Sequence, residues 1–416
     1  MTTAKTVIVG WDMVSPLGTN LADQWDQAAR GVSGIGPLTR FDYAADFPVT
    51  IAGQVPDWDP GPYPFLAPRQ MAHWTSPIFP HALLVAHRAL AKAGIAITPA
   101  LAPRVAVTFS SAVGGLDAVL GADRRMIAEQ KLPHPFTNPN ACINMVGGKV
   151  SILTGATGPI TASITACATG LTSLIAGHML LAQGRAEVAI CGAVDFCLVE
   201  PIVAGFATMN GAYQPKPGQV PLPPPQASRP FSIDRRGFVI AEGAGCLIAT
   251  TEAFARRHGL SCEIALAGWS MTSDARHFVA PNPATVTRCI GEAIADAGVS
   301  PGDIDAVNAH GTSTRIGDQV EADALREIFG DHPPPVSANK SLTGHAMGAS
   351  SAIETILAIE GMQRGVLLPT INHAPDPALA LDVVSEGARP QEQRLLLKNA
   401  FGFGGCNACV VLQRQG

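Results

Sequence analysis

The chain has 416 residues, 47% of them apolar and only 15% charged, so it can bury a large core and is no candidate for disorder. A formal net charge of −5, without any run of Lys or Arg, excludes the basic footprint of a nucleic-acid binder. No stretch approaches the ~20 apolar residues of a membrane span, and nine cysteines, an odd number, supply no disulfide framework, which points to a reducing cytoplasm.

Val7-Ile8-Val9-Gly10 reads as a short buried strand, not the longer apolar core of a signal peptide. Val105 to Thr108 predicts a second strand, ending in Ser110-Ser111. The run from Pro159 to Ala166 is extended and leads into Cys167. Leu171, Leu174, Ile175, His178 and Met179 then follow the spacing of one helical face, with Gly184 as its stop. Val188-Ala189-Ile190 predicts the next strand.

The second half repeats this style. Ile304 to Val307 predicts a strand running into a loop with His310. Asp318 and Glu321 have the spacing of a capping box for a helix with Val320, Ala324, Leu325 and Ile328 on its apolar face. Ile353, Ile356 and Leu357 mark a further helix. Leu395-Leu396-Leu397 and Cys409 to Leu412 predict two late strands flanking Phe401-Gly402-Phe403-Gly404-Gly405. Alternating strands and helices indicate an α/β architecture. No linker divides the chain, so two interlocked halves are expected, residues 1–255 and 256–416. The one biased segment, Gln214 to Gln226, has six prolines and predicts an exposed, extended loop.

Chemistry concentrates at four places. Thr165-Ala166-Cys167 puts a thiol where a strand turns into a helix, and the amide N–H groups of a helix N-terminus favour a thiolate. A buried cysteine alone is usually an inert small hydrophobe, so its company decides. Asn308-Ala309-His310-Gly311-Thr312-Ser313-Thr314 offers an imidazole and hydroxyls; Lys340-Ser341-Leu342-Thr343-Gly344-His345 offers an ammonium and a second imidazole. One thiol, two imidazoles and one ammonium suit acyl transfer through a thioester, followed by carbon–carbon bond formation. Read singly, Lys340 resembles an ordinary surface charge. His73, His81 and His87 lack the i, i+4 spacing of a helical metal site, and no metal is expected.

These motifs, in this order and together with Asn399-Ala400-Phe401-Gly402-Phe403-Gly404-Gly405, resemble the β-ketoacyl-acyl carrier protein synthases, the condensing-enzyme branch of the thiolase superfamily, and most of all the elongating type II synthases. The resemblance covers essentially the whole chain. It implies a thiolase fold, two similar βαβαβαββ halves in a layered α-β-α-β-α arrangement, usually as a dimer. It also implies decarboxylative Claisen condensation of an acyl-cysteine with a malonyl thioester, in fatty-acid or type II polyketide or polyene synthesis. No cofactor is implied, since substrates ride on the phosphopantetheine arm of an acyl carrier protein.

The same resemblance assigns roles. Cys167 takes the acyl chain, helped by the helix dipole rather than by a strong adjacent base, and the backbone N–H groups of Cys167 and Phe403 form the oxyanion hole. His310 and His345 hold the malonyl thioester carbonyl as carbon dioxide leaves. Lys340 is buried near them and paired with Glu354, Thr312 and Thr314 contact the pantetheine arm, Phe403 gates the thiol, and Val113 lines the acyl pocket. Two other readings stand beside this one: a non-catalytic chain-length-factor-like partner subunit, which Cys167 argues against, and a thiolase-like acyltransferase using Cys406 as a second thiol.

Two departures bear on partners. Arg69 is followed by Gln70, Ala72 and His73 where the family usually offers a further Lys and an Asp, which thins the basic patch. The loop from Gln214 to Gln226 is longer than usual and carries only Lys216. Both suggest a specialised pathway, with a homodimer or a heterodimer with a homologous chain-length factor.

Overall fold

The computed structural model describes residues 5–215 and 218–415, so Lys216 lies outside the described residues. The first half runs β1 (Thr6–Val14), α1 (Ile78–Ala93), β2 (Val105–Ser110), α2 (Asn144–Thr154), β3 (Ile160–Thr161), α3 (Thr169–Ala182), β4 (Val188–Asp195) and β5 (Gly243–Thr251). The second runs β6 (Ile264–Ser273), α4 (Pro283–Asp296), β7 (Ala306–Asn308), α5 (Arg315–Phe329), β8 (Val336–Ser337), α6 (Met347–Arg364), β9 (Leu395–Gly402) and β10 (Cys406–Arg414). Each is βαβαβαββ, with further helices and two small two-stranded sheets inserted between these elements.

The sheet order repeats as well. It is β3-β2-β4-β5-β1 in the first half and β8-β7-β9-β10-β6 in the second. In both, the three inner crossover strands are parallel and the last two pairings antiparallel. Three antiparallel pairs, Thr6 to Ile8 against Leu266 to Ile264, join the two sheets into one ten-stranded sheet.

The period-2 alternation of strands sorts the core into layers. Val7, Val9, Val107, Ile190 and Ile248 face α1 and α2 on one outer side. Leu397, Cys409 and Val411 face α4 and α5 on the other. Between the sheets, Ile8, Met13, Leu247, Ala400 and Val410 enclose α3 and α6, whose Leu171, Leu174, Ile353 and Ile356 are almost wholly buried. α3 and α6 cross closely because Gly170 has no side chain: a Cβ there would stand 2.5 Å from the Ala352 nitrogen. Their N-termini therefore meet at the centre of the molecule.

Two expectations shift in detail, and one cysteine spacing makes no pair. Only Ile160 and Thr161 of the extended run before Cys167 pair in the sheet. α5 starts at Arg315, so Asp318 and Glu321 lie inside the helix and form no capping box. Both are buried and turn inward, where they accept hydrogen bonds from the preceding loop. Finally, Cys406 and Cys409 stand at C-x-x-C spacing, but on β10 three residues put two side chains on opposite faces.

Candidate active site

Cys167 sits on a single 3₁₀ turn, Ala166–Ala168, that runs directly into α3. The turn is sharp: Ala166 adopts a left-handed backbone conformation with φ of +48°. Threonine hydroxyls hold it, with Thr169 donating to the Ala166 carbonyl at 2.7 Å and Thr165 bonded to Thr172 at 2.7 Å. Gly402 of β9 lies so close that a Cβ would meet the Thr165 carbonyl oxygen at 2.3 Å. That contact brings the Phe403 backbone N–H to the thiol.

Burial pushes the Cys167 thiol up to about 11. Lys340 and the N–H groups of Phe403 and of Cys167 itself pull the other way without prevailing. Desolvation thus opposes the thiolate that a helix N-terminus favours, and it outweighs the nearby donors and the Lys340 charge.

A base stands within reach. His345 Nε2 is 3.1 Å from Cys167 Sγ, while His345 Nδ1 is 3.0 Å from the Ser350 hydroxyl. That hydroxyl accepts from the Ala346 N–H at 2.7 Å, so its own proton is free for Nδ1, which leaves the ring proton on Nε2. His310 crosses His345 edge to face at 5.8 Å. Lys340 Nζ stands 3.4 Å from His310 Nδ1; an ammonium only donates, so here too the proton falls on Nε2. Burial, with Lys340 and Lys398 adding to it, drives both imidazoles well below their ordinary range, and both are neutral.

Behind the rings lies a buried charge network. Glu354 bridges two lysines, Lys340 and Lys398, each at 2.6 Å. Lys340 also donates to the His310 carbonyl at 2.6 Å, and Lys398 to the Asn399 carbonyl at 2.8 Å. Glu321 accepts from the backbone N–H groups of His310 and Gly311, both at 2.8 Å, and from Asn399 at 3.1 Å. Asp318 accepts from Thr312 and Ser313. Two ammonium groups thus share this region with three carboxylates, and each is hydrogen-bonded.

A cavity of about 600 Å³ opens above this cluster. Cys167, His310, His345, Thr312, Thr314, Val113 and Phe403 all line it. Lys340 and Glu354 stand behind the wall, almost fully buried, not on the surface as Lys340 alone suggests. The Thr312 and Thr314 hydroxyls lie 2.9 Å apart. Asp195 fixes Val113, accepting from its N–H at 3.0 Å. Cys406 is not among the lining residues; burial and the neighbouring Asp274 raise its thiol. Among the described residues no group of three His, Cys, Asp or Glu could hold a metal ion.

Sequence reasoning missed Ser350 and Lys398, and misread Glu321. Lys398 carried a signal, because a lysine inside Leu395-Leu396-Leu397-Lys398-Asn399-Ala400-Phe401 must be buried in a central strand and so needs a counter-charge. Ser350 carried none.

Comparison with known proteins agrees with this geometry. Residues 3–255 match the family described as beta-ketoacyl synthase, N-terminal domain, and residues 263–374 the beta-ketoacyl synthase, C-terminal domain. The chain belongs to the β-ketoacyl synthase family. It is 35% identical to 3-oxoacyl-[acyl-carrier-protein] synthase 2 of Coxiella burnetii, covering 99% of this chain and 98% of that one. The solved ishigamide ketosynthase/chain length factor superposes with a TM-score of 0.90 at 30% identity over the whole of both chains. A type II PKS acyl-carrier protein in complex with its ketosynthase bound to the hexaketide gives 0.89 at 25%, again over both whole chains. This β-ketoacyl synthase is a condensing enzyme of the acyltransferase class with the thiolase fold; the comparisons do not favour the alternative readings. No helix among its described residues is long and apolar enough to cross a membrane.

Proposed function

We propose that the protein catalyses decarboxylative condensation of an acyl group, held on Cys167, with a malonyl thioester on an acyl carrier protein. The observation that carries the reading is the 3.1 Å contact between Cys167 Sγ and His345 Nε2 at the floor of the cavity, with His310 beside it. Cys167 Sγ attacks the acyl thioester, and the bond to the carrier sulfur breaks. The Ser350 hydroxyl can rotate to accept from Nδ1, which frees Nε2 to take the thiol proton and pass it to the leaving sulfur. The N–H groups of Cys167 and Phe403 hold the oxyanion.

In the second step the neutral imidazoles donate through Nε2 to the malonyl thioester oxygen. The bond to the carboxylate breaks, carbon dioxide leaves, and the enolate charge develops against those two donors. The enolate carbon attacks the acyl-cysteine carbonyl, the C–Sγ bond breaks, and Cys167 recovers a proton from solvent. Lys340, Glu354 and Lys398 fix the rings and keep them neutral. Thr312 and Thr314 hold the pantetheine arm, Val113 borders the acyl chain, and Phe403 moves to admit it. No cofactor takes part. Peptide mass spectrometry after incubation with an acyl-carrier thioester tests the assignment: the adduct belongs on Cys167, and acylation of Cys406 in Cys167→Ser would overturn it.

We infer a specialised pathway in the cytoplasm, of polyketide or polyene type, with a dedicated carrier protein. Where a basic patch would continue after Arg69, His73 stacks on His134 and Phe136 at 5.0 and 4.8 Å. Gln214 and Gln219 of the proline-rich loop line the cavity, so this loop meets an incoming carrier. The edge strand β3, with Ile152, Ile160 and Ile164 exposed nearby, supports pairing with a second copy or with a homologous chain-length factor. The division at residue 255 follows the change from the Cys-bearing to the His-bearing half. A cognate carrier should sustain condensation that a general fatty-acid carrier does not; equal rates with both, unchanged by trimming the loop, would leave a plain elongating synthase.

A further inference from the structure

The cavity runs from buried Cys167 to an exposed rim, and that rim carries two arginines without a carboxylate. Arg315 is exposed at the start of α5, and the half-buried Arg236 donates to Gln219 at 3.4 Å. Among the described residues neither has an acidic partner within 4.0 Å. Their sequence neighbours differ: Arg229 is paired with Asp234, and Arg235 with Asp376 at 2.8 Å. Arg235 also donates to the carbonyls of Thr314 and Arg315 at 3.3 and 3.2 Å, and the Gly237 N–H donates to Ser313 at 2.9 Å. These bonds hold the segment that carries Arg236 alongside the one that carries Thr314 and Arg315, and both arginines line the cavity.

Among the described residues only one carboxylate lines this cavity, and it is occupied. Asp274 accepts from Asn407 at 2.6 Å, from the Asn282 N–H at 3.0 Å and from Thr285. In a chain of net charge −5, two unpaired guanidinium groups at the entrance to a deep pocket make a local anion seat. The planar donor fork of arginine matches phosphate oxygens, and such charge-assisted bonds are about twice as strong as neutral ones.

We propose that Arg236 and Arg315 seat the phosphate that joins the pantetheine arm to its carrier. The inference rests on the carrier-arm reading of the pocket, and it places the arm's anionic end at the rim while Thr312 and Thr314 meet its amides.

The test compares S-acyl-4′-phosphopantetheine with S-acyl-pantetheine as donors to Cys167, reading kcat/KM for acylation by intact-protein mass. The native protein should favour the phosphorylated donor by about tenfold or more. Arg236→Gln, Arg315→Gln and the double variant should bring this ratio towards unity, and a ratio taken within each variant cancels any loss through misfolding. No preference in the native protein, or a preference that survives in the double variant, would overturn the proposal. So would an unchanged ratio combined with slower acylation from the intact carrier, which would assign the arginines to carrier carboxylates. Failure of both small donors to acylate Cys167, when the intact carrier does so, would also overturn the phosphate seat but leave the condensation reading standing. Failure of all three would overturn both.

Discussion

Cys167 and His345 occupy matching places in the two halves, each just before the helix that follows the third strand of its βαβαβαββ unit. A left-handed residue lies near each: Ala166, one residue before the thiol, has φ +48°, and Met347, two residues after the imidazole, +46°. The surroundings differ. The first half gives Cys167 an apolar helix and desolvates it. The second half packs five buried charges behind its imidazoles, Lys340, Glu354, Lys398, Glu321 and Asp318, whereas the thiol has one buried carboxylate of its own half nearby, Asp195. A similar place in the topology thus serves two chemistries, and the side chain put there, with the charge behind it, decides which. The first half supplies a nucleophile and the second a field of fixed donors.

The largest expected effect separates the halves outright. Cys167→Ala should lose condensation completely yet still release carbon dioxide from malonyl-carrier protein, since His310 and His345 remain. Labelled carbon dioxide release against product formation measures this, and loss of both would mean that the thiol shares in the second half's work. Next, His310→Ala or His345→Ala removes one donor to the enolate and should cost on the order of 10²-fold or more in rate. Condensation at the native rate in His345→Ala would show that the 3.1 Å contact is structural.

The contrast between halves also explains what could be read from the sequence. Helical spacing at Leu171, Leu174 and Ile175, and alternation in the strands, expose the layers because apolar burial has a period. The Cys167, His310 and His345 motifs stand out because glycines and hydroxyls cluster around them. Lys340 looks like a surface residue until Glu354 and Lys398 are seen on either side, and those partners lie 14 and 58 positions further along the chain. Pairing across such distances leaves no local trace. Likewise, Asp318 and Glu321 fit a capping box, and only the real start of α5 shows them turned inward to the His310 loop.

A third test breaks the network in the second half. Glu354→Gln leaves two lysine charges buried with one counter-charge fewer, and should cost about 3–5 kcal/mol of stability. The triple variant Lys340→Met, Glu354→Leu, Lys398→Met removes all three charges together and should recover most of that loss in urea unfolding. Its condensation should remain impaired, because His310 Nδ1 has lost its donor. A triple variant both stable and fully active would show that the charges serve neither fold nor chemistry.

The smallest effect concerns the resting state of the thiol in the first half. Burial raises Cys167 to about 11, so its reactive thiolate is a small fraction at neutral pH and grows as pH rises. Alkylation by iodoacetamide, followed at Cys167 by mass spectrometry, should therefore climb about tenfold per pH unit from 7 to 9.5 without a plateau, whereas an ordinary cysteine levels off above about 8.5. Ser350→Ala leaves the sulfur's burial intact and should keep this slope. It removes the hydroxyl that serves both tautomers of His345, so acylation by the carrier thioester should slow by about 2–10-fold, the size of one neutral hydrogen bond. A plateau near pH 7 would mean that the helix N-terminus, not desolvation, governs the thiol; the His345 proton relay would then be unnecessary, and Ser350→Ala should have no effect.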